Sequence, residues 1–183
     1  MTEGNCIDQI ANRRSIRKFK DEKIPDDVID ELIRTGLWAP SAGNLQPWRI
    51  VKTTSEDQIK TLADAAYGQS VVKTAPAVLV IVAVPSESAE KYGQRGRSLY
   101  AYQDTAALTY TLLLTAHAMG YGGCWVGAFD DEAAANAISA PDGFKPVSMI
   151  PIGVPDESPS PRPRKAPSEV VVEDRFGEIE SAI

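Results

Sequence analysis

The sequence predicts an α+β fold in which helices flank a central mixed β-sheet. The run from Ala77 to Val84 is continuous, apolar and rich in β-branched residues, a pattern typical of a strand buried on both faces. Segments with helical periodicity surround it, and the longest runs from about Ser98 to Met119. Because the chain has 183 residues, of which 43% are hydrophobic and 24% charged, we expect one domain, residues 1–183, with a substantial core.

The N-terminal part predicts two helices, a loop and a strand. A first helix is expected over residues 5–14, and a second, amphipathic helix follows the start signal Ile24-Pro25-Asp26-Asp27, where proline and acids suit a first turn. The segment Ala39–Asn44 has the composition of a loop. A short strand is expected from Arg49 to Thr53.

The middle of the chain predicts further helices around the buried strand. Ser55 caps a helix that runs to about Tyr67. Residues 86–97 are polar and contain glycine, so we expect a mobile surface segment there. The long helix is apolar on nearly all sides and is ended by Gly120, so it should lie in the core or against a partner.

The C-terminal part predicts two strands, one small helix and an extended arm. The strands are expected within Gly122–Phe129 and Pro146–Gly153, and the helix from Asp131 to about Ser139. Residues 155–167 contain five prolines among thirteen and cannot be helical. The arm, about residues 155–183, is therefore expected to extend away from the domain.

The arm ends in the strand-like run Ser168–Glu173, which would expose an unpaired edge if it stood alone. Pairing with another subunit's sheet removes that edge. The sequence therefore predicts an intertwined homodimer with exchange of the C-terminal strand.

Two basic clusters stand out in a chain whose formal net charge is −6. The first basic cluster, Arg13–Lys20, has five basic residues among eight, and the second basic cluster, Arg162–Lys165, has three among four. Both could be solvated surface. The alternative is that they neutralise an anion, since guanidinium forks match phosphate bidentately.

Composition excludes several classes of function. A pI near 4.9 argues against general nucleic-acid or anionic-membrane binding, and no apolar run approaches the roughly twenty residues that span a bilayer. No secretory signal is visible, and Cys6 and Cys124 are too few for a disulfide scaffold, so a reducing cytoplasm is expected. Cys124 is interpreted as a small buried hydrophobe, and Trp48 and Trp125 as core anchors.

The only histidine, His117, lies in an apolar helical run and is interpreted as a core or interface residue. A histidine-rich metal site and a Ser/His/Asp triad are therefore not expected. The glycines of Gly120–Gly123 follow a helix and precede a strand, the reverse of the order in a dinucleotide-binding loop. If the protein is an enzyme, its reactive group is expected to be a borrowed cofactor.

Taken together, five segments resemble the flavin-dependent nitroreductase family and occur in the family's order over about residues 6–175. They are Arg13–Phe19, Ala39–Trp48, Ala116–Gly120, Gly123–Phe129 and Arg162–Lys165. The larger members of the family carry more helix where this chain has residues 86–97. That departure leaves the substrate open.

The resemblance implies FMN bound at the interface of a homodimer. The residues that match the family's FMN-binding positions are Arg13, Arg14, Ser15, Arg17, Ser41, Ala42, Asn44, Leu45, Val126, Gly127, Arg162 and Arg164. By this resemblance, Arg13, Arg162 and Arg164 neutralise the phosphate, and Arg17 stabilises the negative charge that the N1–O2 region of the ring gains on reduction.

The same resemblance assigns the remaining positions to the ring. Asn44 is implied to hydrogen-bond it from the partner subunit, with the rest of its loop nearby. Val126 and Gly127 are implied to lie under the ring, with a backbone N–H directed at N5, and glycine permits that close approach.

The implied activity is reduction of nitroaromatic, quinone or similar acceptors by NAD(P)H, in a ping-pong hydride transfer through flavin N5. No side chain is assigned a catalytic role, and no metal is expected. Two alternatives stay open: a flavin enzyme of the same fold with dehalogenating or flavin-fragmenting chemistry, and a non-catalytic protein that binds or sequesters flavin. The motifs do not choose between NADH and NADPH, and they do not identify the physiological acceptor.

Overall fold

The computed structural model describes residues 5–176 of the chain. Its α-helices are α1 Cys6–Asn12, α2 Asp26–Gly36, α3 Glu56–Ala65, α4 Ser70–Lys73, α5 Pro85–Arg95, α6 Ala101–Ala118, α7 Asp131–Ala137 and α8 Pro167–Val170. Its strands are β1 Trp48–Thr53, β2 Ala77–Ala83, β3 Gly122–Gly123 and β4 Lys145–Gly153. A 3₁₀ turn spans Ala42–Asn44 and a π-helix spans Gly96–Tyr100. Within the described residues, no helix is both long enough and apolar enough to cross a bilayer.

The sheet has the order β1-β2-β4-β3, and β2 is buried along its whole length between its two neighbours. The α+β prediction is confirmed, but the prediction of a mixed sheet is wrong for these strands, which all pair antiparallel. A doubly buried strand has the same apolar pattern in a parallel and an antiparallel sheet, so the pattern of β2 could not fix strand direction. The parallel pairing found in the described residues is a single bridge between Ser15 and Gly123.

Alternate residues of β2 feed two hydrophobic clusters, one on each face of the sheet. Val78, Val80 and Val82 pack with residues of α3, α4 and α7. Leu79 and Ile81 pack with residues of α2 and α6 on the other face. This alternation is the period-two geometry of a strand, and it confirms the prediction that β2 is covered on both sides.

Helix α6 lies in the core, as its apolar sequence predicts. Leu108 and Leu112 are fully buried, and the helix ends where Gly120 adopts a φ of 86°. The Gly120 N–H donates to the His117 carbonyl at 3.0 Å and the Tyr121 N–H donates to the Ala116 carbonyl at 2.8 Å. These bonds satisfy carbonyls of the last turn, so the predicted glycine stop is confirmed.

Two segments differ from the sequence prediction. Residues 86–97 lie mostly on the surface, as predicted, with Ser88 and Gly96 buried, but they are helical, in α5 and the π-helix, which the sequence did not indicate. Their mobility stays a prediction. Gly93 interrupts the helix at φ 55° and ψ −138°, which explains why no continuous helical pattern is visible in the sequence.

The predicted strand Ser168–Glu173 is also wrong for this chain, because Pro167 begins the short helix α8 and the following valines are exposed. A strand needs an edge to pair with, and no edge within the described part of the chain pairs with this segment. Residues 177–183 of the predicted arm lie outside the described residues. Exchange of this strand between subunits stays a prediction.

Candidate functional site

The first basic cluster lies along strand β3. Ser15 forms a parallel bridge with Gly123, and the Ile16 N–H donates to the Gly123 carbonyl at 3.0 Å. A Cβ atom on Gly122 would come within 2.7 Å of the Ile16 side chain, so glycine is what allows this approach. The sequence-predicted residues Arg13–Arg17 are therefore fixed beside Cys124.

The electrostatic effect of the cluster is visible in two neighbouring side chains. Burial raises the pKa of the Cys124 thiol, while Arg17, a hydrogen bond with Ser15 and then Arg13 act in the opposite direction. Burial also lowers the pKa of His117, and the charges of Arg13 and Arg14 lower it further. The surroundings of Cys124 and His117 are thus electropositive, and the buried Cys124 matches its interpretation as a small hydrophobe.

Arg13 supplies an observation that points to a ligand. Its Nε atom is buried and has no hydrogen-bond partner among the described residues. Buried donors are almost always satisfied, so an unpartnered guanidinium N–H suggests an acceptor that the chain itself does not provide. Arg14, by contrast, donates to the carbonyls of Ala11 and of Arg13 at 2.7 and 2.9 Å.

The start of the C-terminal arm runs beside the first basic cluster. The Lys20 N–H donates to the Val154 carbonyl at 2.9 Å, and the Asp156 N–H donates to the Lys18 carbonyl at 3.0 Å. The Glu157 carboxylate accepts hydrogen bonds from the backbone N–H groups of Arg17 and Lys18. The two ends of the domain are therefore joined next to the predicted phosphate-binding residues.

The second basic cluster makes local hydrogen bonds within the described residues. Arg164 Nη1 donates to the carbonyls of Arg162 and Pro163, each at 3.2 Å, and the cluster is exposed. Convergence of both clusters on one phosphate stays a prediction.

The predicted ring-contacting segment is open to a ligand. Val126 exchanges two backbone hydrogen bonds with Met149, both at 2.9 Å, which fixes the segment to β4. A Cβ atom on Gly127 would meet only Trp125, at 3.6 Å, so its missing side chain is not required by the packing. Gly127 and Trp125 line a cavity of about 410 Å³ together with Tyr102 of α6.

The prediction that both Trp48 and Trp125 anchor the core is half right. Trp48 is buried at the start of β1, but 41% of Trp125 is exposed. The flanking residues Cys124 and Val126 are buried, so the Trp125 side chain points to the opposite side and borders the open space beside Gly127. An aromatic ring at that place is available to a ligand.

The loop Ser41–Leu45 carries the other predicted ring contacts in an unusual conformation. Gly43 and Asn44 have φ angles of 57° and 56°, and Gln46 follows with 52°. Positive φ is uncommon in residues other than glycine and persists only where the surroundings hold it. Here the Gln46 N–H donates to Ser41 Oγ at 3.0 Å, inside the loop.

The second support of this loop is Asp104, which the sequence analysis missed. Its Oδ1 atom accepts a hydrogen bond from the Ala42 N–H at 2.9 Å. Its Oδ2 atom is buried without a partner, and burial raises the pKa of the carboxyl against the opposing effect of the Ala42 N–H. The available signal was an acid on the face of an apolar helix that its neighbours Leu108 and Leu112 place in the core.

The predicted site residues therefore form three groups in one chain, of which the exposed pair Arg162 and Arg164 on the arm is one. Arg13–Arg17, Val126 and Gly127 lie along β3 and β4, whereas the loop Ser41–Leu45 is held by α6. In the part of the chain that is described, no hydrogen bond joins the loop to the Arg13–Arg17 segment. This separation agrees with a site that takes its loop from a second subunit.

A larger cavity, of about 760 Å³, lies elsewhere and contains none of the predicted site residues. It is lined mainly by residues 19–26 and 73–76, and its lining includes both lysines and acids. Mixed charge gives it no clear preference for an anion. Within residues 5–176, no group of three or more His, Cys, Asp or Glu residues is arranged to hold a metal ion.

Comparison with known proteins adds independent information. The model of the Nitroreductase family matches residues 10–72 and 66–154. In an alignment of 187 positions, the chain is 30% identical to the NADH dehydrogenase of Thermus thermophilus. The alignment covers 87% of this chain and 91% of the relative. It is 29% identical to the NADPH-flavin oxidoreductase of Vibrio harveyi over 183 residues, covering 96% and 76% of the two chains.

A solved structure supports the same fold. The NADPH:FMN oxidoreductase from Vibrio harveyi complexed with NAD+ matches this chain with a TM-score of 0.86 at 28% identity. The match covers 96% of this chain and 80% of that one. The helices and the sheet described above therefore follow the arrangement of that oxidoreductase.

Proposed function

The chain belongs to the nitroreductase family, and we propose that it is a homodimeric FMN-dependent enzyme that uses NAD(P)H to reduce nitroaromatic, quinone or similar acceptors. The observation that carries the proposal is the buried, unpartnered Nε of Arg13 in an electropositive segment beside Cys124. The names of the relatives, a NADPH-flavin oxidoreductase and a NADH dehydrogenase, agree with this chemistry.

The residues of the Arg13–Arg17 segment fit a flavin phosphate. The phosphate is close to a dianion, and charge-assisted hydrogen bonds from guanidinium groups are among the strongest that proteins make. Arg13 has a donor to spare, and the start of the arm that carries Arg162 and Arg164 is hydrogen-bonded to Lys18 and Lys20. We propose that Arg162 and Arg164 complete this phosphate site in the dimer.

When bound, FMN would supply the hydride-accepting ring that takes electrons from NAD(P)H and passes them to the acceptor after the nicotinamide has left. The protein's part is to bind the flavin, to orient its ring and to adjust its reduction potential. Arg17 would place a positive charge beside the pyrimidine edge, and the backbone at Val126 and Gly127 would approach the ring from below. Ser41, Ala42, Asn44 and Leu45 would contact it from the partner subunit.

The exposed apolar surface supports the homodimer. Ile7 and Ile10 of α1 are 70% and 49% exposed, and α1 has no buried residue. Trp38, at the end of α2, is 88% exposed. An apolar helix face that the chain itself leaves uncovered, as on α1, is a candidate interface. We propose that the partner subunit covers them and that the arm crosses onto it.

The absorption spectrum of the purified protein tests the proposed function. The protein should be yellow, or become so with added FMN, and anaerobic NADH or NADPH should bleach the flavin band within the time of a turnover. Bound FMN that neither nicotinamide reduces would favour a flavin-binding protein without catalysis. Colourless protein that fails to bind FMN would overturn the proposal.

A further inference from the structure

We propose that Lys91 and Tyr92 of α5 form an acceptor-binding site that favours aromatic acceptors carrying a carboxylate or sulfonate group. This inference rests on the proposed function, because it assigns a substrate class to the same site. It is carried by the position of these two side chains, the charge of Lys91 and the backbone conformation that follows them.

Their position is set by contact with the flavin loop. A Cβ atom on Gly43 would lie 2.5 Å from Tyr92 Oη and 2.7 Å from Lys91 Nζ. Both polar tips therefore rest directly on the residue that precedes Asn44. A molecule that stacks on a flavin contacted by Asn44 would lie within reach of these tips.

Their charge is uncompensated. The segment Pro85–Tyr100 contains three cations and two carboxylates, in a chain of net charge −6. One of those carboxylates, Glu87, is paired with Arg49, at 3.3 Å between Nη1 and Oε2. Among residues 5–176, neither Lys91 nor Arg95 forms an ion pair. The unpaired Lys91 cation at the loop favours an anionic ligand.

Aromatic rings take the place of carboxylates around these cations. Lys91 Nζ lies 5.4 Å from the centroid of the Tyr92 ring, and Arg95 Cζ lies 5.3 Å from that of Tyr100. The two tyrosine rings meet edge to face, with centroids 5.1 Å apart and an interplanar angle of 82°. Cation–π contact orients an ammonium group without neutralising it, so Lys91 keeps its charge for a ligand.

The backbone holds this arrangement rigidly. Gly93 has a conformation, φ 55° and ψ −138°, that is close to a region available essentially to glycine alone. The π-helix follows, and a Cβ atom on Gly96 would come within 2.3 Å of the Ser88 carbonyl oxygen. Irregular helix of this kind is frequently found at functional sites, and here it brings Tyr92 and Tyr100 together.

In the proposed reaction, a charged site would orient the acceptor for reduction. In the net reaction, NAD(P)H and one proton reduce a nitro group to a nitroso group and water. The nicotinamide is oxidised by loss of its hydride, and one N–O bond of the acceptor breaks, its oxygen leaving as water. An aromatic acceptor with an anionic substituent would be oriented by Lys91 through a charge-assisted hydrogen bond, with its ring against Tyr92.

Matched acceptors test the proposal. Para-nitrobenzoate and para-nitrobenzamide are nearly isosteric and differ by one negative charge, so the ratio of their kcat/KM values isolates recognition of that charge. Lys91→Gln should lower this ratio about fivefold at low ionic strength, equivalent to about 1 kcal/mol. High salt should reduce the difference between wild type and variant. Lys60→Gln, which removes an exposed cation on α3, is the matched control and should leave the ratio unchanged.

Calorimetry of the oxidised holoprotein gives a readout that does not depend on turnover. Benzoate should bind more weakly to Lys91→Gln than to wild type by a similar factor, whereas benzamide should bind both equally. An unchanged benzoate affinity and an unchanged acceptor ratio would overturn this inference while leaving the proposed function intact. Failure of NAD(P)H to reduce the flavin would refute the proposed function, and benzoate binding would still decide whether Lys91 recognises the charge.

Discussion

The carboxylate of Asp104 accepts a hydrogen bond from the backbone N–H of Ala42, with 2.9 Å between Oδ1 and the nitrogen. This bond ties the buried helix α6 to a loop in which Gly43 and Asn44 both have positive φ. A loop in such a conformation relaxes unless its surroundings hold it. Asp104 is therefore a positioning residue for the side chains that, in our proposal, contact the flavin.

Replacing Asp104 by asparagine should change how stability depends on pH. Burial raises the pKa of this carboxyl in the folded state, so the native protein holds the proton more tightly than the unfolded chain. The contribution of Asp104 to stability is then full below the unfolded pKa of about 3.9 and is lost as pH rises through the higher folded pKa. Asparagine does not titrate, and its amide oxygen can still accept from Ala42.

The measurement is urea unfolding of wild type and Asp104→Asn between about pH 4 and pH 7, the window that starts at the unfolded pKa. The free energy of unfolding of the variant, relative to wild type, should increase with pH and then level off. Asp142→Asn, which removes an exposed acid, is the control. A difference that does not change with pH would show that Asp104 titrates alike in both states.

Replacing Gly127 by alanine should separate flavin binding from folding. A Cβ atom there would meet only Trp125, at 3.6 Å, so the melting temperature of the flavin-free protein should stay within about 2 °C of wild type. If a flavin lies against this backbone, the methyl group should weaken FMN binding by about tenfold, or about 1.4 kcal/mol. Titration of the flavin-free protein with FMN, followed by fluorescence quenching, measures the change.

Gly96→Ala is the contrasting variant for that experiment. Its Cβ atom would come within 2.3 Å of a backbone oxygen of Ser88, so it should lower the free energy of unfolding by about 1–3 kcal/mol. Equal FMN affinity in wild type and Gly127→Ala would count against a flavin ring that lies against the backbone of Val126 and Gly127.

Replacing Arg17 by glutamine should lower the reduction potential of the bound flavin. A positive charge beside the ring favours the reduced, more negative state, and glutamine keeps much of the length without the charge. Arg17 is exposed and donates to the Ser15 carbonyl at 3.4 Å, so its loss should leave the fold intact. We expect a fall of about 30 mV, equivalent to about 1.4 kcal/mol for two electrons, measured by anaerobic dye-coupled titration. A potential that stays the same or rises would exclude this role.

Replacing Ile10 by glutamate should dissociate the proposed dimer. Ile10 is 49% exposed in one chain and lies on α1, which has no buried residue. If the partner covers it, a carboxylate there must be desolvated at a cost of several kcal/mol. Light scattering after size exclusion should find wild type at twice 19.8 kDa and the variant at the mass of one chain, with FMN lost. A monomeric wild type that binds FMN would contradict the two-chain site.

The sequence was sufficient where one local pattern decides the structure. Strand β2, the Gly120 stop of α6 and the Ser55 cap of α3, whose Oγ accepts from the Gln58 N–H at 3.5 Å, all follow from short-range rules. Helix α5 was not predicted, because Gly93 breaks its periodicity and its buried residue Ser88 is polar.

The site itself was only partly predictable. The family motifs indicated which residues belong to one site, but strand direction depends on pairing between distant segments. The support of the loop by Asp104 depends on a contact across 62 positions of sequence. Similarly, the segment from Ser168 reads as a strand because its valines favour one, and yet a strand forms only where an edge is available. Pattern alone does not supply that partner.

The central claim is that Arg13 and Arg164, from opposite ends of the chain, hold the same FMN phosphate. A double-mutant cycle with Arg13→Gln and Arg164→Gln, read as the affinities for FMN and for riboflavin, tests it most directly. Each substitution should weaken FMN binding by about tenfold or more and leave riboflavin binding nearly unchanged. The two effects should also be coupled by at least about 0.5 kcal/mol. Losses of affinity that are equal for FMN and riboflavin would contradict the claim. So would effects of the two substitutions on FMN binding that add without coupling.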